Sequence, residues 1–176
     1  MACSQTLNGI TTDCAANMGG IVLVYLANKA DVSAVTVTSN KITGITMASS
    51  AKFKKYAFKP GTGSLTSNYQ VSQENGVAYV HSDLLMVFNR METAKRIEIT
   101  AMAQSELVAL VRDANGLLWF LGFDSPLLLS AGDGLTGTAR TDRNGYSVTL
   151  QDNSKEMPYE ILEGDGGVNL DSIVSA

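Results

Sequence analysis

The stretch from Ser64 to Phe88 limits the fold more than any other part of the chain, because it reads as one long β-hairpin closed by Asn75-Gly76. Both turn residues tolerate the positive φ of a type I′ turn, and a two-residue turn fixes the register of everything outside it. That register sets Val71 opposite Val80, Tyr69 opposite Ser82 and Leu65 opposite Met86. One face then carries Leu65, Tyr69, Val71, Val80, Leu84, Met86 and Phe88. The other carries Ser64, Thr66, Asn68, Gln70 and Ser72, opposite His81 and Asp83. Strand side chains alternate with a period of two, so an apolar and a wet face on the same strands point to a layered β-fold. The wet face is a row of small uncharged polar groups, suited to walling something hydrated.

The rest of the chain continues the β signal. Ile21 to Leu26 is a short apolar run after Gly19-Gly20 and reads as a buried strand. Val35–Thr38 and Ile42–Met47 flank Ser39-Asn40 as a second hairpin rich in β-branched residues. Lys52 to Lys59 alternates crudely and stops at Pro60-Gly61. Leu107–Val111 and Leu117–Leu121, apolar on both faces around Asp113-Ala114-Asn115-Gly116, are expected to be central strands. Asn144-Gly145 is expected to close a further hairpin, with Ala139, Tyr146, Val148 and Leu150 on one face. Thr138, Arg140, Asp142, Ser147, Thr149 and Gln151 fall on the other. Met157–Leu162 forms a last short strand. One helix is expected over 91–105, capped by Asn89 with Glu92 three residues on. Ala94, Ile97, Ala101 and Met102 supply its apolar stripe, and Glu92 with Arg96 an i, i+4 pair. The expected fold is a two-layer β-sandwich or barrel of roughly eight to ten strands with one flanking helix. Residues 1–18 read as an N-terminal arm, 19–163 as a single β-domain and 164–176 as an acidic, Gly-rich C-terminal tail.

Composition narrows the chemistry. The chain has 176 residues, enough for one substantial core. Its net charge of −4 argues against a protein whose main task is gripping nucleic acid. No apolar run is long enough to span a bilayer. Met1-Ala2-Cys3-Ser4-Gln5 lacks the basic flank and apolar run of a signal peptide, so synthesis in the cytoplasm is expected. Cys3 and Cys14 have neither metal nor redox spacing and read as reduced thiols, with a bridge between them as the alternative.

Each motif has a plainer reading. Gly132-Asp133-Gly134-Leu135-Thr136-Gly137 matches G-x-G-x-x-G, yet an alternating segment follows where a dinucleotide site needs a helix, so it reads as a loop. His81, the only histidine, shares a strand face with Asp83. No strained nucleophile elbow accompanies the pair, and a polar wall residue is the simpler assignment. The Asp165–Asp171 segment lacks EF-hand spacing. No catalytic residue, cofactor or metal site is assigned. Lys52, Lys54, Lys55 and Lys59, interleaved with Phe53, Tyr56 and Phe58, fit a nucleic-acid strip on composition. Protection of an edge strand and contact with an acidic neighbouring subunit fit them better.

Several segments together resemble a known family. They are Gly19-Gly20-Ile21 leading to Val24-Tyr25-Leu26-Ala27-Asn28, then Asn75-Gly76-Val77-Ala78-Tyr79, and Phe88-Asn89-Arg90-Met91-Glu92-Thr93-Ala94-Lys95-Arg96 with the helix leading to Leu107–Val111. Gly137-Thr138-Ala139-Arg140-Thr141-Asp142-Arg143-Asn144-Gly145-Tyr146 and Glu156-Met157-Pro158-Tyr159-Glu160 complete the set. In this order they resemble the tail-tube and tail-ring structural proteins of phages infecting Bacteroidetes, including the crAss-like group. Residues 30–60 have no counterpart. The resemblance implies a non-enzymatic virion protein, made in the bacterial host cytoplasm and located in the virion tail. Its copies would form a homo-oligomeric ring, a hexamer or dodecamer, that meets neighbouring tail or ring proteins. The stacked rings would conduct DNA during ejection, with no membrane and no small-molecule substrate involved.

The residues add a physical reason. A channel for a polyanion must be hydrated without binding it, because each wall lysine or arginine would pair with phosphate. Ser64, Thr66, Asn68, Gln70, Ser72 and Asp83 are therefore the candidate lumen wall. Lys52, Lys54, Lys55, Lys59 and Arg140 are the candidate subunit contacts. The competing reading is a β-barrel module that holds a small ligand inside, for which a row of short polar groups is a poor lining.

Overall fold

A computed structural model describes residues 7–12 and 14–175. Among them, eleven strands fall into two sheets: β1 (Ile21–Asn28), β2 (Val32–Thr38), β3 (Lys41–Met47), β4 (Lys54–Tyr56), β5 (Ser64–Ser72), β6 (Val77–Asn89), β7 (Leu107–Asp113), β8 (Leu118–Leu121), β9 (Leu128–Leu135), β10 (Gly145–Ser154) and β11 (Tyr159–Ile161). Helix α1 (Thr93–Ala103) joins β6 to β7, and a single turn, α2 (Leu170–Ile173), follows β11. The larger sheet runs β2-β3-β11-β8-β7-β1-β4 and the smaller β5-β6-β10-β9. Every ladder is antiparallel except that of β11 with β3. The chain is a mainly-β sandwich with a flanking helix, as its patterning requires.

Two cores explain why the middle strands are apolar on both faces. Leu107, Ala109 and Val111 of β7 turn toward the smaller sheet, where they meet Leu84, Met86, Val148 and Leu150. The intervening Val108 and Leu110 turn the other way and pack with Ile42, Phe53, Phe120 and Ile161. Burying a leucine such as Leu110 contributes roughly 1.5–3 kcal/mol, so each residue of β7 serves one core or the other. The β2–β3 hairpin forms on Ser39-Asn40, both at positive φ, with Thr38 opposite Lys41.

The second core recruits the end of the chain. Residues 164–175 are not a free arm: Val168 and Ile173 are buried against the larger sheet. The Phe53 amide donates to Ile173 O (2.8 Å), and the Ser175 amide donates to Phe53 O (2.9 Å). Arg112 adds a two-pronged pair to Glu163 at 3.0 and 2.5 Å.

Four local expectations fail. Asn75-Gly76 does not make a two-residue turn, because only Gly76 adopts positive φ and a type I′ turn needs both. Ser72 instead pairs with Val77 across a four-residue loop, and Val71 lies opposite Ala78, Leu65 opposite Leu84. The register slips by two, which preserves parity, so every side chain keeps its expected face. Asn144-Gly145 is not a turn either. β9 ends at Leu135, a nine-residue connection carries Thr138, Arg140 and Asp142, and Gly145 opens β10 opposite Asn89. Gly145 is needed there because a Cβ would stand 2.0 Å from Phe88 O. The G-x-G stretch therefore belongs to β9 rather than to a loop, and the connection proper begins after Leu135.

The helix is present but starts and turns differently. Asn89 ends β6, Arg90 reverses the chain at φ +63°, and Glu92 takes the cap position without a side-chain cap bond. Glu92 pairs with Arg90 (3.2 Å) and Lys95 (3.4 Å), whereas Arg96 meets it through the backbone. Met102 and Ile99 face the core, Ala94 lies on the cleft beside β4, and Ile97 and Ala101 face outward.

Candidate functional site

The four-stranded sheet turns one face to the first core and leaves the other open. On β5 the open face carries Ser64, Thr66, Asn68, Gln70 and Ser72, all exposed except the half-buried Ser72. Across the ladder Thr66 meets Asp83, Asn68 meets His81, Gln70 meets Tyr79 and Ser72 meets Val77. β10 continues the same face, with Gln151 beside Asp83, Asn153 beside His81 and Thr149 beside Leu85. β9 completes it with Ala131 opposite Thr149 and Asp133 opposite Ser147. The expected wall residues are thus brought together with Ser147, Thr149, Gln151 and Asn153. Their alternation is visible in the sequence; that they share a face with β5 follows from β6 lying between β5 and β10.

Charge on this face is sparse and one-sided. It holds Asp83 and Asp133, His81, and neither lysine nor arginine. Arg140 is exposed in the connection between β9 and β10, off the sheet. The Asp142 carboxylate shapes that connection by accepting the Thr138 and Ala139 amides, both at 2.8 Å, which hold its carboxyl below the usual range. His81 shares a hydrogen bond with Asn153 (Nδ1 to Oδ1, 2.8 Å) and lies 3.4 Å from Asp83. Ser82 points to the core and shares a hydrogen bond with Ser67 (2.9 Å), away from the face that carries His81. Cys14 is an exposed free thiol in the N-terminal segment, and Cys3 lies outside the described residues. Among the described residues, no group of three or more His, Cys, Asp and Glu side chains is placed to hold a metal ion. No helix among them is long and apolar enough to cross a membrane.

The lysine strip lies elsewhere, at the edge of the seven-stranded sheet. Lys54 and Lys55 are on β4, flanked by Lys52 and Lys59, and all four are exposed. The interleaved aromatics are not free to stack on bases. Phe53 is wholly buried in the second core, while Tyr56 and Phe58 pack against the first. Tyr56 also lies across Phe88, with its hydroxyl donating to Glu98 at 3.1 Å. Burial first, and the Glu98 carboxylate second, raise that phenol well above its ordinary pKa.

The sheet edges differ in the same sense. β4 is three residues long and rich in lysine, and β2, at the opposite edge, carries two register irregularities. Both devices discourage pairing with another chain. β5 is nine residues long, regular, and free of lysine, arginine and proline. β9 is eight residues long and equally free of them, with one irregularity. Beyond Val80 the β5–β6 ribbon loses its β10 neighbour and projects, with Tyr69 55 % and Val71 64 % exposed. Val77 and Tyr79 are exposed on its other face.

The space between the sheets is filled by side chains, with Val24, Leu84, Met86, Val148 and Leu150 all fully buried. An open cleft of about 220 Å³ lies outside that space, between α1 and β4, lined by Tyr56, Phe88, Ile99 and Met102 among others. No family model, curated protein or solved structure matches the chain.

Proposed function

We propose that the protein is a non-enzymatic structural subunit of a phage tail, assembling into a ring whose bore is lined by the open face of the four-stranded sheet and conducts DNA. The observation that carries this reading is the sheet itself. It combines a polar face without lysine or arginine with a long, regular edge strand, β5, that carries no blocking device, while β9 at the other edge has one irregularity and α1 beside it. An exposed edge strand is a template for pairing unless it is blocked, and here both edges of the wider sheet are blocked while β5 is not.

The topology also suits closure. β5, β6, β10 and β9 alternate in direction, so β9 of one copy runs antiparallel to β5 of the next and the sheet can continue unbroken. Six copies would bring about 24 strands together, which at about 4.8 Å each gives a circumference near 115 Å and a diameter of about 37 Å. Side chains would narrow that by about 10 Å, leaving a bore for one hydrated duplex, whereas twelve copies would double the strand diameter. The projecting apolar ribbon suits contact with a neighbouring subunit, since exposed apolar patches mark such sites. The resemblance to tail-tube and tail-ring proteins agrees with each of these features.

Negative-stain microscopy and native mass spectrometry of the purified protein, alone and with its neighbouring tail proteins, test the proposal. Closed rings are expected. A strict monomer under all these conditions would overturn it.

A further inference from the structure

Among the described residues, one carboxyl group lies in the interior. Asp152, only 4 % exposed, sits on the inner face of β10 opposite Ser82 of β6. Its Oδ2 accepts the Gly122 amide and the Ser154 hydroxyl, both at 3.0 Å. Its Oδ1 has no hydrogen-bond partner, and the nearby Ser82 hydroxyl shares a hydrogen bond with Ser67 in which either oxygen can donate. A void of about 10 Å³ adjoins it, bounded by Ser82, Gly122, Phe123, Ser154 and Tyr159 among others. That is room for one water molecule.

Gly122 belongs to the turn after β8, in the other sheet, and is held from two sides. Its amide binds Asp152, while its carbonyl accepts the Lys29 ammonium at 2.5 Å and the Phe123 carbonyl accepts it at 2.8 Å. A side chain would be strained at this position: φ is +87°, and a Cβ would stand 3.0 Å from Leu107 O.

We propose that Asp152 and the Gly122 turn form a pH-responsive link between the two sheets, favoured while Asp152 is a neutral acid and destabilised as a whole when it ionises, because burying the charge costs more than the stronger Gly122 bond to a carboxylate returns. The bare Oδ1 is the oxygen that a proton would occupy, and a buried carboxylate oxygen without a partner is costly. The charged and titratable groups around the link are His81 on β6, Lys29 after β1, Asp124 after β8, Glu156 after β10, and Tyr159 on β11. Tyr159 is tied to Glu156 through its hydroxyl. Burial dominates at Asp152 and raises its pKa, against opposing pulls from Gly122, Ser154, the nearby Ser82 hydroxyl and His81. Burial likewise lowers the pKa of Lys29, while Asp124, Asp152 and Glu106 favour its charge.

The sign follows from linkage. With its folded pKa above the unfolded one, Asp152 contributes stability that is fully present below the unfolded value. That contribution is lost as pH rises through the folded value. The link belongs to the protomer and is independent of ring assembly.

Melting temperatures of the wild type and Asp152→Asn between pH 4 and 8 test it. The amide mimics the neutral acid, and other titrations cancel in the difference. The wild type should lose ground to the variant as pH rises, by roughly 4 °C for each unit of pKa displacement. Parallel profiles, or a gap of the opposite sign, would overturn the proposal. If the variant does not fold, a carbon-13 titration of the wild-type Asp152 carboxyl decides the matter. A midpoint above the usual aspartate range supports the link, and one within or below that range refutes it.

Discussion

Replacing Asn68 and Gln70 with lysine would place two ammonium groups on the outward row of β5. Both positions are exposed, and residues two apart on a strand lie about 7 Å from each other. Surface changes of this kind usually alter stability by no more than about 0.5 kcal/mol. For a chain of this size that moves the melting temperature by roughly 1–2 °C. Rings should therefore still assemble. If this face lines the bore of a ring, as proposed, symmetry multiplies the effect. An ammonium about 4 Å from a phosphate gains about 1 kcal/mol in water-like surroundings, and six simultaneous contacts would approach 6 kcal/mol. That is roughly a 10⁴-fold increase in retention. Each contact should also add about −0.9 to the slope of log affinity against log salt. Electrophoretic binding of duplex DNA to assembled rings over a range of salt reads both quantities, and genome delivery by assembled particles reads the consequence. Gln151→Lys on β10 should behave as Gln70→Lys does, because Gln151 lies on the same open face. Thr36→Lys on β2, exposed on the other sheet, is the control and should change nothing. The reasoning fails if assembled Asn68→Lys, Gln70→Lys rings bind duplex no better than the wild type. If assembly is lost while the protomer melts normally, the face is instead buried between copies.

Three more outcomes follow from particular contacts. Changing Tyr69, Val71 and Val77 to serine on the projecting ribbon should leave the protomer's melting temperature within a few degrees but abolish rings on size-exclusion chromatography, since these side chains are exposed. Phe53→Ala removes a wholly buried ring from the second core while leaving the backbone bonds of residue 53 to Ile173 and Ser175, and should cost about 3–5 kcal/mol, seen as a fall of roughly 10 °C by calorimetry. Asp142 acts at acid pH. With its folded pKa lowered, its hold on the connection is present above the ordinary aspartate value of about 3.9 and is lost as pH falls through the lower folded one. The Thr138 and Ala139 amide resonances should titrate with that low midpoint and should stop doing so in Asp142→Asn.

How much of this was legible in the chain depends on the range of each cause. Alternation from Ser64 to Phe88 was enough to assign faces, and the two-residue slip in register left them intact because the pleat repeats every two residues. Unbroken apolar runs at 107–111 and 117–121 sufficed for central strands, since only a strand covered on both sides needs them. Ser39-Asn40 turned as expected, whereas Asn75-Gly76 and Asn144-Gly145 did not. A dipeptide permits a turn, but the pairing of its flanks decides where the turn falls. The rotation of α1 was illegible for a related reason. Two stripes on it are partly apolar, and the reversal at Arg90 fixes which one meets the core.

The sequence by itself determined a mainly-β chain, its polar and apolar faces, the longer helix, and a polar row without lysine or arginine. These rest on local periodicity and side-chain chemistry, which neighbouring residues carry without help. Only the tertiary structure decided that β10 joins β5 in one open face, that β5 is an unguarded edge, and that residues 168–175 seal a second core. It alone brought Asp152 to Gly122. Those facts depend on strand order and on contacts between residues far apart in the chain, and no local pattern encodes them.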